Sequence, residues 1–433
     1  MNSGNFKNMS IRYLLFTKPR ASNIQKRHFS EEFFWWKHLE NAPPDSILGI
    51  KKIYNMDKNP NKVDLIVGAY RDANGKPVIL PSVLEAEKMI EKKYTDKEYA
   101  PISGLPQFNQ LSAQLLLGPD SSVLCNQLNA TSQTVSGSGA LYVSGKFMAQ
   151  FFPGNTCIYL PQPTWANHEA IFKFVGLEVA WYRYCDPKVS KLDFEGLMDD
   201  INKIPEKSIA FFQGCAHNPT GVDPSQEQWC EISQLVKKRQ LFPVFDVAYQ
   251  GFASGDFYND AFSFRTFLQD GHKVAILQSY SKSMGLYGER TGSCTFIADC
   301  KSEADTILTQ MEEIIRKTYS SPPIHGSRIV VEILADENLK YMWFQEVKMM
   351  SERLKAMRNA LKENLEKAGS KHNWDHIVHQ IGMFCLSKLT PKQVKKLTDD
   401  YHIYLPADGR ISVAGLTTKN VQYVANAIHE VTK

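Results

Sequence analysis

Between residues 156 and 297 the chain alternates short apolar runs with longer amphipathic ones, and few architectures accept that pattern. Strands are predicted near 156–160, 179–184, 208–213, 241–246, 273–279 and 292–297, and helices near 165–176, 193–203, 224–239 and 258–269. Runs such as SIAFFQ and KVAILQ are apolar at every step, as strands buried on both faces are. Helices between such strands imply crossovers in a largely parallel sheet covered on both sides. The fold class expected is therefore α/β. No dinucleotide fingerprint or Walker sequence interrupts the alternation, so NAD and ATP are not the expected ligands.

A chain of 433 residues exceeds what one compact core organises, so a second, smaller α/β domain is expected from the two chain ends. The boundaries predicted are 45–77 and 346–433 for the small domain and 78–345 for the large one. Val63, Leu65 and Val67 suggest a short strand, and helical periodicity appears at 82–94 and 105–117. Residues 133–152 read as a small-residue turn, SerGlySerGly, running into an apolar helix. A helix at 302–319 breaks at SerProPro (321–323), and a charged helical run continues to about 369. GMFCLS and RISVAG read as strands, with helices at 391–400 and 419–431.

Charge is concentrated at the amino terminus. Residues 1–30 carry Lys7, Arg12, Lys18, Arg20, Lys26 and Arg27 and no acid, and without them the formal net charge falls from +4 to −2. With Met9, Ile11, Leu14 and Leu15 able to share one helical face, residues 1–29 fit a mitochondrial transit peptide. A basic tail that binds acidic partners is the other reading. The segment 30–44 follows as an N-terminal arm containing Phe33, Phe34, Trp35 and Trp36, which either packs on a partner subunit or folds back on its own. No apolar run is long enough to span a bilayer, and nucleic acid is not an expected partner. Eight cysteines without a CxxC pair or His/Cys cluster point to reduced, packed thiols and to no metal site.

The chemistry gathers just past the strand ends, where α/β sheets hold ligands. SYSKSMGLYGER (279–290) places Lys282 after a buried strand; LFPVFD delivers Asp246, with Tyr249 three residues on; HNPTG holds Asn218 before a proline; PTWANH supplies Trp165 and His168. The SerGlySer of 136–138 could cradle an anion on free N–H groups at a helix start. Taken singly, each has a bland explanation: a solvated lysine, a buried salt bridge, a core tryptophan, an N-cap.

Together, and in this order, SerGlySer, PTWANH, AHNPTG, FDVAYQGFASG and SYSKSMGLYGER resemble the aspartate aminotransferases, class I aminotransferases of fold-type I that use pyridoxal 5'-phosphate. The likeness runs from about residue 35 to the end, and PPDSILGI, AYRDANGKPV, HNWDHI, QIGMFC and DGRISVAGL are closest to the mitochondrial type. The resemblance implies a homodimer of the mitochondrial matrix with shared active sites, exchanging amino groups between aspartate and 2-oxoglutarate. It implies that Lys282 holds the cofactor aldehyde, that Asp246, supported by His168, faces its ring nitrogen, and that Asn218 and Tyr249 bind its ring oxygen under Trp165. Ser136, Gly137, Ser138, Ser279 and Arg290 would hold the phosphate, joined by Tyr99 of the other subunit. Arg410 and the backbone at Gly68 would bind the substrate α-carboxylate; Arg316 of the other subunit would bind its side-chain carboxylate, with Phe384 lining the pocket. Ile66, Ser138, Tyr142 and Ser321 depart from the family pattern without removing a catalytic group. A transaminase for aromatic or kynurenine-like substrates and a catalytically silent binding relative are the rival readings.

Overall fold

The computed structural model describes residues 35–36, 38–43, 45, 47–186 and 190–433. The transit peptide expected at 1–29 lies outside them, as do Phe33 and Phe34 of the arm. Of the unit ending at Pro44, Trp35, Trp36 and Leu39 are exposed. The second unit, Asp45–Lys433, carries everything that follows.

Its centre is a seven-stranded sheet of Asn129–Val135, Thr291–Ile297, Ala275–Ser279, Phe242–Val247, Ile209–Gln213, Cys157–Gln162 and Glu178–Arg183, in that spatial order. Only Thr291–Ile297 runs against its neighbours; every other strand points the same way. Period-two alternation sends successive side chains into two separate cores. Ile209, Phe211, Val244 and Leu277 enter one, while Ala210, Phe212, Phe245 and Ile276 enter the other. Deleting one such ring, as in Phe245→Ala, costs roughly 3–5 kcal/mol.

The covering helices form where the periodicity places them, and several have explicit starts. Asp193 accepts the Gly196 N–H at the head of Phe194–Lys203. Ser225 and Gln228 exchange hydrogen bonds as a capping box before Gln226–Lys238, satisfying two otherwise orphaned N–H groups. The predicted strands at 156–160, 179–184, 208–213, 241–246, 273–279 and 292–297 are all present within a few residues.

Three features differ from the sequence expectation. The polar run NATSQTV is a buried strand at one edge of the sheet, Asn129–Val135, because its hydroxyls and amide pair inside the protein: Thr131 Oγ1 lies 3.0 Å from Thr295 Oγ1, and Gln133 Nε2 donates to the Pro323 carbonyl at 2.7 Å. The helical run after SerProPro divides again at Asp336, whose Oδ1 accepts from Asn338 and Leu339 N–H and starts Glu337–Lys367. Five of the eight cysteines are buried, but Cys125, Cys230 and Cys300 are exposed, so the thiols are not all packed.

The chain ends are stitched together. Val63–Asp64 pairs in parallel with Ile403–Tyr404, and Phe384–Leu386 pairs antiparallel with Arg410–Ser412. The Leu65 carbonyl accepts from Ser412 N–H at 2.9 Å, bringing the 63–68 run beside Arg410. Among the described residues no helix is long and apolar enough to cross a membrane.

Candidate active site

Because six strands share one direction, their carboxyl ends line a single edge, and the reversed strand begins there. That edge receives Ser136, Thr164, Gln213, Asp246 and Ser279 from the strands or the residue or two after them, and Arg290 from the residue before Thr291. Loops are free to carry polar groups here, while the strands beneath fix their starting points.

Asp246 is buried, and its Oδ2 lies 3.1 Å from His168 Nε2. The other ring nitrogen of His168 is 2.8 Å from Thr164 Oγ1. The half-buried Trp165 stands edge-on to His168, with centroids 5.3 Å apart. Lys282 emerges beside this acid, its Nζ 5.3 Å from the centre of the Tyr249 ring. Burial draws the lysine pKa down to about 8; Asp246 opposes that shift, and Arg290 and Arg410 reinforce it. The same burial pushes the Tyr249 phenol up, against the pull of Arg410, so Tyr249 enters neutral chemistry as a hydroxyl.

A second cluster is built for an anion. Ser136 Oγ lies 3.0 Å from Ser279 Oγ and 2.8 Å from Ser281 Oγ, and Arg290 Nη1 donates to Ser281 Oγ at 3.2 Å. Gly137 and Ser138 open the helix Ser136–Phe151, whose first turn contains no acid. Among the described residues no carboxylate pairs with Arg290, so three hydroxyls, a guanidinium and a helix start converge without a negative partner.

Arg410 forms the third part. Its Nη1 donates to Asn218 Oδ1 at 3.2 Å and its Nη2 to the Ile66 carbonyl at 2.9 Å, while its Nε has no partner. The guanidinium sits 4.2 Å from the centre of the Phe384 ring. It is buried, and among the described residues no carboxylate meets it. A buried cation held only by neutral oxygens is costly unless an anion completes it. Gly68 lies against the same ring, and a Cβ there would collide with Phe384.

The structure thus brings together Lys282, Asp246, Tyr249, His168, Trp165, Asn218, Ser136, Gly137, Ser138, Ser279, Arg290, Gly68, Phe384 and Arg410. It does not bring Tyr99 or Arg316 to them. Tyr99 is 86% exposed, and the exposed Arg316 donates to Ser320 Oγ on its own helix end. Sequence reasoning overlooked Ser281, Thr164 and Gln213. Ser281 adjoins the lysine in SYSKS, and the density of serines there was its only signal.

A profile of aminotransferases of class I and II matches residues 60–428. The chain is 51% identical over 416 residues to the mitochondrial aspartate aminotransferase of Xenopus tropicalis, covering 96% of each. The chain belongs to the class I and II aminotransferases. Solved members superpose on most of it. The cytoplasmic aspartate aminotransferase of Saccharomyces cerevisiae matches with a TM-score of 0.90 at 42% identity, over 92% of this chain and 98% of the other. The aromatic-amino-acid aminotransferase of Burkholderia pseudomallei, covalently bound to pyridoxal phosphate, matches with a TM-score of 0.89 at 39% identity, over 93% and 100%. Motif order along this aminotransferase chain and convergence at one sheet edge are therefore two views of one arrangement.

Proposed function

We propose that this aminotransferase exchanges amino groups between aspartate and 2-oxoglutarate, giving oxaloacetate and glutamate, with pyridoxal 5'-phosphate as cofactor. The observation that carries the proposal is the sheet edge itself: a lysine beside a carboxylate, a serine and arginine cradle free of acids, and a buried arginine lacking an anion. The donor set fits the cofactor part for part. Ser136, Ser279, Ser281, Arg290 and the N–H groups at Gly137 and Ser138 would hold its phosphate; Asn218 and Tyr249 would bind its ring oxygen; Trp165 would cover its ring; Asp246 would meet its ring nitrogen. Bound there, the cofactor supplies an electron-accepting ring that makes the α-proton of an attached amino acid removable.

The chain's own residues do the rest. Lys282, whose pKa burial draws to about 8, would serve as the general base for the α-proton and as the acid that returns it. Asp246 would favour a proton on the ring nitrogen through its charge. Arg410 receives the α-carboxylate, using the donor capacity that Asn218 and Ile66 leave unused, and Phe384 packs against it to keep water out. A guanidinium bound to a carboxylate contributes on the order of 1.5–3 kcal/mol per charged hydrogen bond.

The second carboxylate of a dicarboxylic substrate needs a second cation, and we assign it to Arg316 of another copy, with Tyr99 of that copy reaching the phosphate. Their exposure in this chain supports a homodimer with shared active sites. The likeness to mitochondrial relatives and the basic leader support a location in the mitochondrial matrix. We further propose that residues 45–77 and 346–433 move as a small domain against 78–345, with 30–44 as an arm.

Borohydride reduction of the purified protein followed by peptide mapping tests the central assignment: the label should fall on Lys282. An unlabelled Lys282, or a preparation with no near-ultraviolet or visible band after incubation with pyridoxal phosphate, would overturn it and favour a silent binding relative.

A further inference from the structure

The polar contacts behind Asp246 form a directed chain whose direction is fixed by main-chain atoms. An amide side chain presents oxygen and nitrogen with nearly the same shape, so its orientation must be read from neighbours whose roles cannot be exchanged. Gln213 has two such neighbours, both on the backbone of Asn218. The Asn218 N–H can only donate and lies 2.9 Å from Gln213 Oε1; the Asn218 carbonyl can only accept and lies 2.9 Å from Gln213 Nε2. The remaining proton of Nε2 therefore goes to Thr164 Oγ1, at 3.2 Å. Among the described residues no other acceptor pairs with the Thr164 hydroxyl, so its own proton points at His168 Nδ1, 2.8 Å away. Nδ1 is then a bare acceptor, and Nε2 carries the one ring proton and donates it to Asp246 Oδ2.

We infer that Gln213 is a positioning residue that keeps His168 a neutral imidazole, so that the full charge of Asp246 is left for a cationic ring on its other side. This rests on the proposed function only for what Asp246 faces. A doubly protonated His168 would place an N–H where the Thr164 proton already points and would share the carboxylate charge. The surroundings agree. Among the described residues, the titratable groups that meet His168 are Asp246 on one side and the buried His217 on the adjoining loop, whose own pKa is lowered by burial and by any charge on His168. Phe211 and Trp165 close the remaining faces, with centroids 4.6 Å and 5.3 Å away. Lys282 lies beyond Asp246. Among the described residues Asp246 is the acid that meets His168, and Gln213, through Thr164, occupies the place at Nδ1 where a second ring proton would point.

Nitrogen NMR of the histidine rings at pH 7 reads this directly, with the His168 signals assigned by their loss in His168→Asn. The wild-type protein, with or without pyridoxal phosphate, should show a bare Nδ1 and a protonated Nε2. Gln213→Glu replaces the donor to Thr164 by an acceptor, turns the hydroxyl around and should give His168 protons on both nitrogens. In the same variant kcat for aspartate should fall roughly tenfold, the scale for losing an outer partner of a working side chain, with KM within about twofold. A wild-type His168 protonated at Nδ1 overturns the inference without any variant. So does a Gln213→Glu protein with the wild-type melting temperature and an unchanged His168 spectrum. Borohydride labelling of Lys282 reports on the cofactor assignment independently, so the two can fail separately.

Discussion

Asp246 and Tyr99 are assigned to the same cofactor, yet they stand in opposite surroundings. Asp246 rises from the tip of a buried strand and is braced through His168, Thr164 and Gln213. Tyr99 lies almost wholly in solvent, and Arg316 is exposed as well. One group of residues has its geometry fixed by its own chain, and the other has nothing yet to act on. On the proposed assignment, a single subunit would hold the groups for proton transfer but only part of those that choose a substrate.

The largest effect tests the first group. Lys282→Ala should lower aspartate turnover by about 10^4-fold, the upper range for losing a general base, while leaving the circular dichroism spectrum intact. Residual activity near the wild-type level would show that the buried edge is not the reacting centre.

Arg316→Asp tests the second group. The ratio kcat/KM for aspartate should fall on the order of 10^2-fold, with phenylalanine turnover much less affected, since only the charged hydrogen bonds to the side-chain carboxylate are lost. Mixing the two variants sharpens the comparison further. If Arg316 acts across an interface, each mixed dimer contains one intact site, and reassociated equal mixtures should regain about a quarter of wild-type activity. Failure of the mixture to exceed either parent would place Arg316 in its own subunit's site or outside the site altogether.

A smaller change is expected where the two groups meet the substrate. Gly68→Ala drives a methyl into Phe384, which must shift away from Arg410. A loss of roughly tenfold in kcat/KM, mostly through KM, should follow in steady-state assays. Unaltered kinetics would mean that Phe384 does not wall the pocket.

The smallest effect concerns stability rather than rate. Lys282 has its folded pKa lowered to about 8 from 10.5, so between those values the unfolded chain binds more protons and wild-type stability rises with pH. Below pH 8 the buried charge costs about 3 kcal/mol. In cofactor-free protein Lys282→Met should therefore be more stable at pH 7, and the gain should shrink steadily above pH 8. A gain independent of pH in thermal melts would show that burial does not strain the lysine.

Much of this was legible in the amino-acid order because the candidate catalytic groups sit at, or within about five residues beyond, the ends of apolar strands. KVAILQ announces Lys282, LFPVFD carries Asp246 at its end, and SIAFFQ leads to Asn218. Legibility fails where burial is polar. Asn129–Val135 lacks the hydrophobic signature of a buried strand because its hydroxyl pairs with Thr295 on the next strand and its amide with the Pro323 carbonyl, contacts visible only in three dimensions. Gln213 and Thr164 escaped for the same reason, since nothing local distinguishes a braced glutamine from a solvated one. The helix Leu48–Met56, with no buried residue, gave no core-facing pattern to read. Tyr99 and Arg316 were assigned through family likeness alone, and their own surroundings carry no sign of a site.

The one strand that runs backwards has a mechanical consequence. Ser279 and Gly292 are register partners on adjacent strands, and Tyr280 N–H bonds to the Thr291 carbonyl at 3.0 Å. The lysine therefore rides on a closed loop moored at both feet to the same rigid plank, rather than on a tether free at one side. Its amine can change direction by turning bonds of its own side chain while the backbone stays moored. Lengthening the loop by a single residue would disturb reach and mooring together.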